Sequence, residues 1–301
     1  MSGLMESVPN FSEGRRRDVI DRIVGAARSV SGVRVLDLHS DEDHNRSVLT
    51  LAGEEGPLSE AVYRAIAAAT ELIDLRKHTG EHPRVGATDV VPFIPLMGST
   101  MKDAISTAER LGERVAEELE IPVYFYEEAA RRPERQNLET IRRKGFEELR
   151  DLIGVEPERA PDLGPHAVHP TAGAIVVGAR GPLIAYNIYL GTTDLSVAKA
   201  IARTVRYSSG GLRYVKALGI DIPARGQVQV SMNLTNYRRS AIHTVFDLVR
   251  SQAAAHGVAV TDSEIVGLVP MEALLDAAAF YLRLQGFDTQ QVLESRLMSS
   301  E

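Results

Sequence analysis

The 301-residue sequence contains no cysteine and no tryptophan. Without cysteine there are no disulfides, thiolate nucleophiles or thiolate metal sites, and the composition leans towards a reducing, cytoplasmic setting. No stretch approaches the roughly 18 consecutive apolar residues of a membrane span, so the chain reads as soluble. The N-terminal residues carry Glu6, Pro9, Asn10 and Glu13 without a long apolar core, which does not fit a secretory signal. Excess positive charge is missing too. A net charge of -7 argues against non-specific nucleic-acid binding and against an anionic membrane surface. No Gly-x-Gly-x-x-Gly follows a strand, no phosphate loop ends in Gly-Lys-Ser/Thr, and there is no Gly-x-Ser-x-Gly elbow.

What is present is an ordinary globular composition, 44% apolar and 25% charged. The length suits one large or two medium domains. Taken in order, 4–8 is a short apolar run. Ser12 is a candidate cap for a helix carrying Val19, Ile20, Ile23, Val24 and Ala27. Strands at 33–38 and 46–51 form a hairpin, 58–75 is an alanine-rich helix, and 90–94 is a strand. That order is split βαβ, or ferredoxin-like. A helix at 102–119 and a strand at 123–126 follow. The charged segment 131–150 is read as a solvated face, helical in parts, and 157–170, with four prolines, as the linker candidate. Strands at 183–190, 212–218, 227–234 and 258–268, with helices at 197–207 and 241–255, then repeat the first order, and helices at 271–284 and 290–298 close the chain. The predicted fold class is α+β, two ferredoxin-like (βαββαβ) subdomains.

The densest chemistry lies in His78-Thr-Gly-Glu-His82-Pro-Arg-Val-Gly-Ala-Thr-Asp89, a predicted helix-to-strand loop. His78 and His82 stand four apart, but Gly80 and Pro83 break the continuous helix that a zinc protease needs, so no metal is expected. General acid–base chemistry fits better. His82 can take and give a proton near neutrality, Glu81 could orient the ring, and Arg84 could hold a carboxylate. In 227–234 the odd positions are polar and the even ones apolar. A ferredoxin-like order sets this strand beside the one carrying Asn187. Gln229, Ser231, Asn233 and Asn187 would then share an open, amide-rich face.

Several segments resemble the glutamate formimidoyltransferase family. They are Val8-Pro-Asn-Phe-Ser-Glu-Gly14, Asn45-Arg46, Gly80-Glu-His-Pro-Arg-Val-Gly-Ala87 and Asp89-Val-Val-Pro-Phe-Ile-Pro95. Pro122-Val-Tyr-Phe-Tyr126, Pro161-Asp-Leu-Gly-Pro165, Gly178-Ala-Arg180, Ala185-Tyr-Asn187 and Val266-Gly-Leu-Val-Pro270 continue the match in order. Leu163 stands where the family commonly has phenylalanine.

The resemblance implies a folate enzyme of histidine breakdown and one-carbon metabolism. It would move a formimidoyl group between N-formimidoyl-L-glutamate and tetrahydrofolate, the co-substrate. It also implies subdomains at 1–180 and 181–301, a ligand cleft between them, and a cytoplasmic homodimer. The catalytic histidine would be His82. Folate would lie against Gly164, Pro165, His166, Ala167, Val168, His169, Pro170, Thr171, Ala172 and Gly173. Both substrates carry carboxylates, so Arg84 is the first cationic anchor, with Arg180, Lys216 and Arg76 behind it; Glu81, Asn187 and Asn233 complete the substrate set. The chain stops at Glu301, so the cyclodeaminase activity of the vertebrate enzyme is expected to be absent from it, with a separate cyclodeaminase as a candidate partner. Formyl transfer from N-formylglutamate, or a non-catalytic folate-binding subunit, are the alternatives.

Overall fold

A computed structural model describes residues 3–80 and 83–298 of the chain. The chain divides into two units, Met1–Gly181 and Pro182–Glu301. In the first, β1 (Leu4–Ser7) and β2 (Asn10–Phe11) precede α1 (Arg17–Arg28), β3 (Val33–Asp41), β4 (Arg46–Glu54), α2 (Glu55–Leu72) and β5 (Thr88–Pro95). β1 and β2 act as one strand, interrupted at Val8-Pro9, and pair antiparallel with β4 on one side and β5 on the other. β3 pairs with β4 beyond them. This is the βαββαβ order that the hydrophobic pattern predicts.

The helix positions 19, 20, 23, 24 and 27 form one apolar face because α-helical neighbours recur every three to four residues. That face is buried, with Leu49, Leu51, Leu58, Ala65 and Phe93, in the core of the unit. Ser12 is not the cap. Its hydroxyl instead donates to the Gly86 carbonyl at 2.7 Å, and the Glu13 carboxylate accepts from the Arg15 and Arg16 amides, both at 2.9 Å.

The sequence pattern missed an extension of this sheet. α3 (Met101–Glu118) leads to β6 (Val123–Glu127), short helices α4 (Leu138–Ile141) and α5 (Gly145–Leu152) follow, and β7 (Ile175–Ala179) slots between β5 and β6, parallel to both. β7 is buried throughout, so its residues run apolar without alternation, and five such residues carry no period that marks them as a strand.

Nor is 157–170 a linker. Asp162 forms an ion pair with Arg135 at 2.7 Å, with both side chains 3% exposed, and also accepts from the Phe125 amide at 2.8 Å. Leu163 accepts from the Val123 amide, and the Tyr124 hydroxyl donates to the Arg159 carbonyl at 2.5 Å. The segment closes the edge of the sheet beside β6. The prolines serve here because a fixed φ suits a chain that runs along an edge and joins it only at the Leu163–Val123 bridge.

The second unit runs β8 (Ile184–Leu190), α6 (Leu195–Val205), β9 (Val215–Ile222), β10 (Gln227–Leu234), α7 (Ile242–Ala255) and β11 (Val260–Val266), with α8 (Met271–Leu282) and α9 (Leu293–Met298) after it. Its antiparallel order β11-β8-β10-β9 is again ferredoxin-like. Val228, Val230, Met232 and Leu234 point into its core, opposite the polar odd positions. No described helix is long and apolar enough to cross a membrane.

Candidate active site

The site begins where α2 ends. Ile73 and Leu75 are buried, and Leu75 donates its amide to the Thr171 carbonyl. Arg76 turns outward and forms a surface pair with Asp74. The chain then enters the 78–89 loop. His78 Nε2 donates to the Asn45 carbonyl at 3.0 Å, and the Asn45 amide donates to the Thr79 carbonyl at 3.0 Å. The Asn45 side-chain oxygen accepts from the Gly14 amide at 2.9 Å. Asn45 is buried and sits at φ 48°, a left-handed position that asparagine tolerates better than most residues. At Gly80 a side chain would meet the His44 carbonyl at 2.4 Å, so only glycine allows this approach.

Glu81 and His82 lie outside the described residues. Beyond them the loop is anchored again. Arg84 Nη2 donates to the His78 carbonyl at 3.1 Å and to Glu147 at 2.9 Å. The Val85 amide donates to Asp89 Oδ1 at 2.8 Å, and Ser12 donates its amide to the Ala87 carbonyl. Gly86 bridges to Gly173. A side chain at Gly173, which has φ +74°, would meet the Val85 carbonyl at 2.3 Å.

This bridge joins two stretches that the sequence could only name separately. Residues 169–173 of the expected folate stretch pack against the 85–87 end of the histidine loop, with His169 Nδ1 accepting from the Ala172 amide at 3.0 Å. Gly164, Pro165, His166 and Ala167 are exposed at the other end of that stretch. The ten residues thus divide into an exposed segment and an anchored one.

Behind the loop is a buried cluster of charge. Asn10 accepts from Arg46 Nη2, and Asp89 accepts from Arg142 Nη2. Burial, then repulsion from Arg142, pushes the Arg46 guanidinium down to about 10, against the pull of Asp89 and Asp41. The Nε groups of Arg46, Arg84 and Arg142 are all buried without a partner among the described residues. Arg46, Arg84 and Asp89 line one cavity with Ser12, Asn45 and His78. The solvated-face reading of 131–150 is therefore corrected at two positions. Arg135 is buried against Asp162, and the Arg142 side chain is 12% exposed against Asp89. Mixed charge along a segment does not reveal that single arginines turn inward to a carboxylate from another part of the fold.

His78 contributes an electrostatic signature. Burial holds its ring below the usual imidazole value, the Asn45 carbonyl opposes this, and Arg84 adds to the lowering. A ring that stays neutral when folded binds fewer protons than the unfolded chain below about pH 6.5. Its stabilising contribution is complete above that value and is lost as pH falls. The wild-type melting temperature should fall between about pH 7.5 and about pH 5.5, and His78→Gln should flatten part of that slope. Parallel slopes in the two proteins would assign the loss to other groups.

The remaining candidates lie on other elements. Arg180 donates to the Gly181 carbonyl at 2.9 Å and hydrogen-bonds Tyr126, whose phenol burial pushes up. In the second unit, Ser231 pairs with Asn187 and Asn233 with Ala185, so the polar residues do share one face. The neighbouring strands change its character. Glu264 accepts from the Asn187 amide and the Tyr189 hydroxyl, both at 3.0 Å, while Lys216 lies opposite Asn233. Asn187 is buried and occupied, whereas Asn233 is exposed.

Asn10, Arg46, Asp89 and Arg142 had no assigned role in the sequence reading. Asp89 had one signal: it is a lone carboxylate heading the apolar strand β5.

The fold and the site together define an α+β protein of two ferredoxin-like units, with a buried cationic pocket behind a glycine-anchored histidine loop. Residues 4–180 match the family model described as the formiminotransferase domain, N-terminal subdomain, and 185–297 match that of the formiminotransferase domain. The chain belongs to the formiminotransferase family. It is 48% identical to a glutamate formimidoyltransferase of Thermoplasma acidophilum, covering 98% of this chain and 97% of that one. A glutamate formimidoyltransferase of Streptococcus pyogenes serotype M1 is 43% identical over 99% of this chain and 100% of its own. A formimidoyltransferase-cyclodeaminase of Rattus norvegicus is 43% identical over 93% of this chain, which spans 53% of that longer protein.

Proposed function

We propose that His82 carries the proton in this chain's reaction and that Arg84 helps to hold the amino-acid substrate. The chain is a folate-dependent transferase that moves a formimidoyl group between N-formimidoyl-L-glutamate and tetrahydrofolate in histidine degradation. In one direction folate N5 attacks the amidine carbon of formimidoyl-glutamate, the bond from that carbon to the glutamate nitrogen breaks, and one proton passes from N5 to the departing amine. His82 takes the first proton and returns it to the second nitrogen, so no net proton is consumed. The observation that carries this reading is the anchoring of the loop on both sides of position 82, through Asn45 on one side and Arg84, Val85 and Gly86 on the other. A general base works only when its geometry is held within hydrogen-bond reach of its proton.

Folate is assigned to 164–173, whose last residues bridge to that loop, and further substrate contacts to Glu81 and Arg180. The same reading makes the chain a cytoplasmic homodimer that passes its product to a cyclodeaminase. Turnover of tetrahydrofolate by the isolated chain, compared with formimidoyl- and formyl-glutamate as donors, tests the assignment; a preference for the formyl donor would replace it. Arg84→Ala should raise KM for formimidoyl-glutamate about 10-fold or more, the loss of one charge-assisted hydrogen bond. An unchanged KM would remove Arg84 from substrate binding.

A further inference from the structure

Arg46, Arg84 and Arg142 meet in the first unit around a single buried carboxylate, Asp89. Asp89 is already engaged, by Arg142 on one oxygen and the Val85 amide on the other. Arg84 leans on Glu147, whose side chain is 59% exposed. Arg46 has only the neutral oxygen of Asn10 as a hydrogen-bond acceptor among the described residues. Asp41 attracts it from a distance but is bound to His44.

Such an arrangement is costly as it stands. Guanidinium groups keep their charge, so burying several beside one another demands a counter-charge. The three Nε groups without a partner among the described residues add the cost of unsatisfied buried donors. The Arg46 guanidinium, bonded through one Nη2 hydrogen to Asn10, can still present a fork of N–H groups, the geometry that suits a carboxylate. The cavity at this point has free space for a group about the size of a water molecule, enough for a carboxylate oxygen and far too little for a pterin ring. His78 lines it with a ring that burial favours as neutral, so it does not add to the positive charge.

We propose that this cluster is a carboxylate-binding site for the glutamate portion of a substrate, with Arg46 as its buried donor, Arg84 at its rim, and Arg142 holding Asp89 in place beside them. It deepens the transferase reading by naming where the acidic end of the ligand is held. Two molecules carry that chemistry, the amino-acid substrate and the glutamyl tail of folate. Arg84, at the rim, belongs to the loop assigned to proton transfer.

Calorimetric binding of L-glutamate, glutarate and p-aminobenzoyl-L-glutamate tests the site without turnover. Arg46→Gln should weaken at least one of these probes by about 10- to 100-fold, the loss expected for a charged hydrogen bond, and Arg142→Gln, which releases Asp89, should weaken the same probe by a smaller factor. Loss confined to L-glutamate and glutarate assigns the seat to the amino-acid substrate. Loss confined to p-aminobenzoyl-L-glutamate assigns it to the folate tail. Binding of every probe at wild-type strength by both folded variants overturns the proposal. Should Arg46→Gln not fold, Arg46→Lys keeps the charge, loses the fork, and should weaken binding by a smaller factor. The wild type supplies a further arm: glutarate should raise its melting temperature, whereas uncharged dimethyl glutarate should not, and equal shifts would count against a charged seat. His82→Ala should bind these probes like wild type, so failure of the catalytic reading and failure of this site remain distinguishable.

Discussion

His82→Ala is expected to lower kcat by about 10²- to 10⁴-fold, the contribution of a positioned general acid–base. Tetrahydrofolate affinity should stay within about threefold of wild type, because an imidazole that moves a proton acts in the transition state and adds little to ground-state binding. A spectroscopic assay with tetrahydrofolate and formimidoyl-glutamate, run beside calorimetric folate binding, separates the two quantities. The kcat profile of the wild type should also carry an ionisation near neutrality that the variant lacks. Near-wild-type turnover in the purified variant would transfer the proton work to another group. His78 would be a poor replacement. Its Nε2 is committed to the Asn45 carbonyl, and its Nδ1 is buried without a partner among the described residues.

Asp162→Ala is expected to cost about 3–5 kcal/mol of stability, because it strands a buried guanidinium. Arg135 and Asp162 are each 3% exposed, so water cannot replace the lost carboxylate without opening the edge of the sheet. The Phe125 amide, on β6, loses its acceptor in the same change. Urea unfolding followed by circular dichroism reads the effect as a lower midpoint at unchanged slope. A loss below about 1 kcal/mol would mean that the pair is solvated and that the segment is held by its backbone bonds alone. Asp162→Asn, which keeps an oxygen for the Phe125 amide but gives up the charge, should fall between the two.

Much of the fold was legible because the chain follows simple periods. The α1 stripe at 19, 20, 23, 24 and 27 and the alternation in β10 both read correctly, since each element buries one face. The order of elements then gave two ferredoxin-like units. β7 was not legible, because a strand buried on both faces loses its alternation. The stretch 157–170 misled for a related reason. Proline-rich composition describes a chain that forms no ladder, and it does not distinguish a tether from an edge closed by Asp162 and Arg135.

The site divides along the same line. By itself the sequence determined the glycines that permit close backbone approach at 80 and 173, the histidine at 82, and a family resemblance running along the chain. Only the tertiary structure decided that Gly86 would meet Gly173, that Asn45 would fasten the loop, and that Arg46 and Arg142 would turn inward to Asn10 and Asp89. The reason is physical: periodicity and backbone conformation are properties of neighbouring residues, whereas a buried charge is set by partners tens of positions away that only folding brings within reach.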